Sequence, residues 1–420
     1  MIGKAQIISI NNESARICAS AARISTKPGD AMQIFSNSSD TIKNSKLIDK
    51  VLRSGHTSFI EHAVFTIAFT NVSVLVEQFF IEFRLASYTV KSRRYVDFGD
   101  MGFYTPDDFT DDIKIRYQTH MKFLFDEYNY LVSQDIPKED ARFILPYSFL
   151  SNFYCTVNAR ELTHMLNEIF GARGEKYNEL QLLGEQICDQ LNEEFPHILS
   201  YVKRNHTQNN DIKNYFPYIS SKPSIVQSEV TKISCCDNSN ISPLNSDIKQ
   251  YDYIKYKSLE LIQATFIIKN ISLAGLTHIV RHRIQTIIVP PLYTIDPNCY
   301  IIPEKIANNH ALAERYKNAY SQNIKSLLQL REQGIKEEIY FALSGNTINI
   351  ISSMNARELK LFFNLRCCMR AQWEIRHIAN NMLYLIRQEN DNVFSKFGAS
   401  CYANGKCPEG QFGCGKFGVS

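Results

Sequence analysis

The sequence predicts a mixed α/β (α+β) chain built from two homologous halves, and three observations carry that reading. The pentapeptide Asn158-Ala159-Arg160-Glu161-Leu162 returns as Asn355-Ala356-Arg357-Glu358-Leu359, an offset of 197 residues, and each copy is followed at the same spacing by a further Asn, Asn167 and Asn364. The segment Ala63-Val64-Phe65-Thr66-Ile67 corresponds to Ala264-Thr265-Phe266-Ile267-Ile268 at an offset of about 201. Strand and helix periodicities also stand side by side: Phe65, Ile67 and Phe69 alternate with smaller or polar residues, and Val76, Phe79, Phe80 and Phe83 follow at helical spacing. A repeat this long implies two packed copies of one domain, not a solenoid. The expected organisation is a first repeat over 1–205, a polar linker over 206–225, a second repeat over 226–400 and a Cys/Gly-rich tail over 401–420.

Taken in order, residues 5–10 read as a strand running into an Ala-rich helix, and 46–52 as a helix stopping at Gly55. Residues 64–70 form a half-buried strand, after which Ser73 caps a helix. The basic, hydroxyl-rich run from Arg84 to Tyr95 reads as a loop. Helical patterning returns over 113–132, before Pro146, after Asn158 and over 178–194. Between 205 and 250 the chain turns polar, with Asn-Asn, Ser-Ser and Lys-Pro turn signals that mark the seam between halves.

Composition narrows the function classes. A chain of 420 residues has room for two to three domains, and a net charge of +3 gives no generic affinity for nucleic acid. The most apolar stretch, 63–83, is interrupted by Asn71, Glu77 and Glu82, so it does not read as a membrane span. The opening MIGKAQIISI has too short an apolar run for a secretory signal, so a cytoplasmic protein is expected. Its 11 cysteines are odd in number and mostly scattered, which favours reduced, buried thiols. Cys401, Cys407 and Cys414 cluster in the tail, where zinc binding with Cys367 or Cys368, disulfides and a mobile end are all open. Their spacing matches no standard finger, and no metal is assigned; His56, Glu61 and His62 likewise lack a metal-ligand spacing.

Asn-x-x-Glu before an apolar run is a helix start, with the Asn capping the first turn and the Glu reaching back. The Arg at the second helical position fits less well. A cation in the first turn opposes the helix dipole at a cost of about 0.3–1 kcal/mol, unless something anionic offsets it, and a phosphate there would do so. Arg281-His282-Arg283 ends an apolar helix, where cations are favoured in any case, but planar guanidinium groups also clamp phosphate. Arg366 and Arg370 are expected on one face of the long helix that begins at Asn355 and carries Ala371-Gln372-Trp373-Glu374.

These pieces in this order resemble the flavin-dependent thymidylate synthases. That family's hallmark is Arg-His-Arg, then Ser-x-Arg-Tyr, later Arg-x-x-Leu-Pro, then Asn-x-Arg and an Arg-rich helix ending in Ala-Gln-Trp-Glu. The first repeat keeps Gly55-His56, Ser58, Glu61, Ser92-Arg93-Arg94-Tyr95 and Arg142-x-x-Leu145-Pro146, but Glu82-Phe83 replaces Arg-His and Ile169 stands at the helix arginine. The second repeat keeps Arg281-His282-Arg283, Asn355, Arg357, Arg366 and Ala371 to Glu374. It has Val289-Pro290-Pro291-Leu292-Tyr293 for the loop and Ile339 for Arg142. The two sets of gaps are complementary.

The resemblance implies two such domains, each a sheet packed with long helices, and reductive methylation of deoxyuridylate to thymidylate. FAD is the implied cofactor, with NADPH and methylenetetrahydrofolate as co-substrates. By carry-over, His56, Ser58, Glu61, Arg281, His282, Arg283, Asn355 and Arg357 line the flavin site, and Ser92, Arg94, Arg142, Arg281 and Arg366 hold the nucleotide. Among these, Ser92, Arg94 and Arg366 stand nearest the chemistry. Arg94 and Arg142 take the phosphate, and Arg366 polarises the uracil. Family sites form where subunits of a homotetramer meet, so a homodimer of tandem chains acting as a pseudo-tetramer is expected, with no nucleic acid or membrane partner. The sequence departs from the pattern at Thr89, Val90, Arg93, His278 and Arg370; Thr89, Val90 and Arg93 keep open action on another pyrimidine nucleotide, and motif loss after duplication keeps open a catalytically silent nucleotide-binding protein.

Overall fold

A computed structural model describes residues 3–203, 227–236, 257–335, 337–389 and 391–416. The expected linker over 206–225 lies outside the described residues.

Each repeat contributes one four-stranded antiparallel sheet. The first contains β1 (Lys4–Ile10), β2 (Val64–Ser73), β3 (Ser87–Val90) and β4 (Leu150–Asn158), in the order β1-β2-β4-β3. The second contains β5 (Glu229–Cys236), β6 (Gln263–Ser272), β7 (Gln285–Ile288) and β8 (Thr347–Asn355), in the order β5-β6-β8-β7. Phe65, Ile67 and Phe69 on β2 are buried, as alternation demands. The run from Arg84 to Tyr95, expected as a loop throughout, includes the edge strand β3, which pairs with β4.

Strand register corrects the repeat alignment. Val64 faces Asn158 on β4 just as Gln263 faces Asn355 on β8, so β2 and β6 are offset by 199 residues, not 201. A slip of two residues keeps every side chain on its own face of a strand, and the alternation in the sequence therefore could not detect it. Both central strands break register at a left-handed Asn, Asn71 with φ 51° and Asn270 with φ 55°. Each donates its backbone N–H to an Asn side chain on the neighbouring strand, Asn152 at 3.0 Å and Asn349 at 2.9 Å. These bulges re-aim the strand into the helix that follows it.

Ser73 and Ser272 cap the ensuing helices, Val74–Ile81 and Leu273–Ile279. Each Ser also bonds a buried glutamate at the start of a later helix. Glu179 accepts from the Ser73 N–H at 2.7 Å and hydroxyl at 2.5 Å, and Glu374 accepts from Ser272 at the same two distances. Gly275 permits this in the second repeat, because a Cβ there would lie 2.7 Å from the Glu374 carboxylate.

The compact units do not coincide with the repeats. Phe123–Pro146 of the first repeat belongs to the second unit, and Gln329–Tyr340 of the second repeat belongs to the first. Two 23-residue helices, Asp111–Ser133 and His310–Glu332, each change unit within their length and lead into the exchanged segments. Sequence spacing carries no trace of this exchange, which is a tertiary choice. Among the described residues, no helix is long and apolar enough to cross a membrane.

Candidate active site

The second unit gathers the polar residues from both repeats. Arg142 arrives on the exchanged segment, behind the short helix Lys138–Ala141, and is buried at 3% exposure. Its Nε donates to the Glu139 carbonyl at 3.1 Å, and its Nη2 lies 3.4 Å from His278 Nε2. His278 sits in the last turn of the Leu273–Ile279 helix. Arg366 ends the helix Ala356–Arg366; its Nη2 donates to the His278 carbonyl at 3.1 Å and its Nε to His282 Nε2 at 3.0 Å. His282 is buried, and its Nδ1 lies 3.0 Å from the carboxylate of buried Glu358.

The turn Arg281-His282-Arg283 is fixed from below. The Gln285 amide donates to the carbonyls of Ile279 at 2.6 Å and His282 at 3.1 Å, while Ser352 donates to the Gln285 carbonyl oxygen at 3.2 Å. Arg281 is half-buried and Arg283 exposed. The exchanged segment is anchored by Trp373, the only tryptophan in the sequence. Its indole donates to Asp140 at 2.8 Å, and its ring stacks on Phe143 at 5.9 Å between centroids. Burial raises the Asp140 carboxyl pKa, with the indole bond opposing the shift.

Three expectations need correction. The long helix does not run on to Ala371-Gln372-Trp373-Glu374: it ends at Arg366, and a second helix starts at Trp373, with Gln372 capping Ile375 at 2.9 Å. Arg370 therefore stands beyond the helix and shares no helical face with Arg366. The cation near each Asn cap already has a protein anion, since Arg160 pairs with Glu61 at 2.6 Å and Arg357 pairs with Glu260. The dipole cost thus does not require a bound phosphate. The Asn caps themselves form, at 2.9 Å to Glu161 N and Glu358 N, but the glutamates turn to His164 and His282.

The other expected residues lie in the first unit. His56, Ser58 and Glu61 are exposed, at and after the end of the helix Thr41–Arg53. Ser92 and Arg94 are half-buried in the loop after β3, where Ser92 Oγ accepts from the Arg94 N–H at 3.4 Å. Arg93 is turned inward to Glu77, a residue with 0% exposure that also accepts from Ser151. Its guanidinium is a buried, ion-paired element of the loop.

Nearby, a cavity of about 170 Å³ is lined by Leu52, Thr57, Ile60, Arg160, His164 and Asn167, among others. The sequence reading names His278 only as a departure from the family pattern; its place between Arg142 and Arg366 depends on residues far along the chain and left no signal in the spacing.

For FAD the donor chemistry fits. Arg281 and Arg283 are cations of the kind that can clamp a pyrophosphate, while Arg357 is engaged by Glu260. For a metal, no group of three or more His, Cys, Asp or Glu among the described residues is placed to hold one, and Cys401, Cys407 and Cys414 are free thiols.

The family model described as thymidylate synthase complementing protein matches residues 6–197 and 248–390, once per repeat. Over 173 residues the chain is 38% identical to the flavin-dependent thymidylate synthase of Nitratidesulfovibrio vulgaris, covering 38% of this chain and 70% of that protein. The enzyme of the same description from Clostridium tetani is 35% identical over 179 residues, covering 38% and 71%. Among solved structures, the UMP/dUMP methylase PolB from Streptomyces cacaoi aligns with a TM-score of 0.40 at 24% identity, over 47% of this chain and 93% of that one.

Proposed function

The chain belongs to the flavin-dependent thymidylate synthase family, and from that premise we propose that this flavin-dependent methyltransferase converts deoxyuridylate to thymidylate with methylenetetrahydrofolate as one-carbon donor. The chemistry that bound FAD supplies, once reduced by NADPH, is the hydride that completes the methyl group.

The observation that carries the substrate reading is the meeting of Arg142 and Arg366 at His278 in one unit. Two guanidinium groups held by protein acceptors make a preorganised anion and carbonyl receptor, which suits a pyrimidine nucleotide. Arg142, with Arg94, takes the phosphate; Arg366 polarises the uracil carbonyl; Ser92 orients the ring. Arg281, His282, Arg283, Asn355 and Arg357 hold the flavin, with His56, Ser58 and Glu61 contributed by the first repeat. Two chains associate as a homodimer equivalent to the family's tetramer. Of the three departures that favour another pyrimidine nucleotide, Arg93 is taken up by its ion pair, which leaves Thr89 and Val90 on β3.

Purified enzyme is expected to carry FAD and, once reduced, to be reoxidised only when deoxyuridylate and methylenetetrahydrofolate are both present. Reoxidation indifferent to the nucleotide would refute the reading. Arg142→Ala is expected to weaken deoxyuridylate binding roughly 10- to 100-fold, the scale of a lost charge-assisted hydrogen bond. Light scattering should give the mass of two chains.

A further inference from the structure

We propose that Glu358 is a positioning residue for the nucleotide site: it fixes the tautomer of His282, and His282 in turn fixes the plane of Arg366. The inference rests on the reading of Arg366 as a nucleotide-binding residue.

The argument follows from what each group can donate. A carboxylate only accepts, so the 3.0 Å contact between Glu358 and His282 requires the proton on Nδ1. A guanidinium only donates, so the 3.0 Å contact from Arg366 Nε requires a bare Nε2. One species satisfies both, the neutral Nδ1–H imidazole. The other neutral tautomer would set N–H against N–H at Arg366 and lone pair against carboxylate at Glu358. Protonation would also put N–H against N–H at Arg366. Burial holds the arrangement, since His282 is 5% and Glu358 4% exposed, and the Phe362 ring and the imidazole pack in a T-shaped pair with centroids 4.9 Å apart.

Arg366 has a second anchor, Nη2 on the His278 carbonyl at 3.1 Å. Two bonds from different nitrogens of a planar group define its plane, and the remaining N–H directions follow. Without Glu358 the imidazole loses one of the two partners that select its tautomer and the one that anchors its ring from behind, as for a metal-bound histidine that loses its outer carboxylate.

The first repeat supplies an internal comparison. It keeps the Asn cap and the buried glutamate, Glu161, but carries Phe83 and Ile169 where the second repeat carries His282 and Arg366. There the glutamate turns to His164 Nδ1, three residues along its own helix, at 3.4 Å. The cap therefore does not need the glutamate to face an imidazole across the unit; only the copy with an arginine to position has that arrangement.

The test uses the FAD-loaded full chain and reads the dissociation constant for deoxyuridylate through its perturbation of flavin absorbance. Glu358→Leu is expected to raise it roughly 10- to 100-fold, the effect of losing a hydrogen bond to a charged group. Glu358→Gln, whose amide oxygen can still accept from Nδ1–H, should stay within a few-fold of wild type. In an Arg366→Ala background, Glu358→Leu should add less than about twofold, because coupled residues are not additive. If Glu358→Leu does not fold, His282→Phe cuts the chain one link further on and must show the same lack of additivity with Arg366→Ala. Full additivity in the double variant would overturn the inference alone. An Arg366→Ala enzyme that binds deoxyuridylate normally would overturn both the inference and the nucleotide reading beneath it.

Discussion

Replacing Arg93 by Met should destabilise the first unit sharply, and replacing its partners as well should restore most of the loss. Glu77 has 0% exposure and accepts from the Arg93 guanidinium and the Ser151 hydroxyl, and Arg93 itself also lies over the Phe149 ring at 5.6 Å. Arg93→Met takes the guanidinium away from a carboxylate buried in the core, a change that costs about 3–5 kcal/mol. The second repeat shows an apolar solution to the same place: by strand register and helix start, Leu276 corresponds to Glu77 and Ile348 to Ser151. The triple variant Arg93→Met, Glu77→Leu, Ser151→Ile should therefore lie within about 1–2 kcal/mol of wild type, since apolar replacement of a buried ion pair is often neutral. Urea unfolding followed by circular dichroism measures all three proteins. The reasoning is refuted if Arg93→Met alone costs under about 1 kcal/mol, the range of a solvated surface pair. It is equally refuted if the triple variant is no better than the single one. Because Arg93 is buried and ion-paired with Glu77, the triple variant should also keep the wild-type preference between deoxyuridylate and uridylate.

Burial pushes the carboxyls of Glu179 and Glu337 up to about 7, above the usual unfolded value of about 4.3. The native state thus holds these protons more tightly than the unfolded chain does. The resulting stability is fully present below the unfolded value and is lost as pH rises through about 7, so the thermal midpoint should fall between about pH 5 and 8 and then level off. The loss is roughly 2–4 kcal/mol per group, and Glu179→Gln with Glu337→Gln should flatten the profile; an unchanged profile in the double variant counts against it. Asp140→Ala should free the Trp373 indole, shift the emission of this sole tryptophan and weaken nucleotide binding about tenfold through Arg142, two residues on, on the scale of one charge-assisted bond. Asp140→Asn keeps an acceptor and should do neither, and unaltered emission in Asp140→Ala would contradict the anchoring role.

The duplication was legible because its signals are local. An Asn cap needs only its own first turn, and both copies form it at 2.9 Å. The strands β1 and β2, with β6 as the repeat of β2, and most helices were legible for the same reason; β4 and β8 were not singled out, β5 lies inside the stretch read as a polar seam, and β3 and β7, of four residues each, are too short to show a period. What could not be read were partners far along the chain. Glu260 lies 97 residues from Arg357, and no rule of spacing selects it over a bound phosphate. Arg93 next to Arg94 looks like a second basic residue of one loop, yet the two differ in burial because Glu77 awaits only one of them.

The exchanged segments change the meaning of the complementary losses. Counted by repeat, each half lacks something: the first has Phe79, Phe83 and Ile169 where the second has His278, His282 and Arg366, and the second has Ile339 where the first has Arg142. Counted by compact unit, the pattern is not mutual. Arg142, His278, His282 and Arg366 all belong to the second unit, while Ile339, Phe79, Phe83 and Ile169 all belong to the first. The four apolar residues are between 0% and 6% exposed, so they form core where their counterparts form a hydrogen-bonded network. Leaving one or two polar groups in such a core would strand them without partners at about 1–3 kcal/mol each. Loss of one member therefore removes the reason to keep the others, and all four positions change together. Restoring a single residue, such as Ile169→Arg, should on this argument destabilise the first unit without creating nucleotide binding there, and a stable Ile169→Arg protein that binds extra deoxyuridylate would show that the first unit's site had not been given up as a whole.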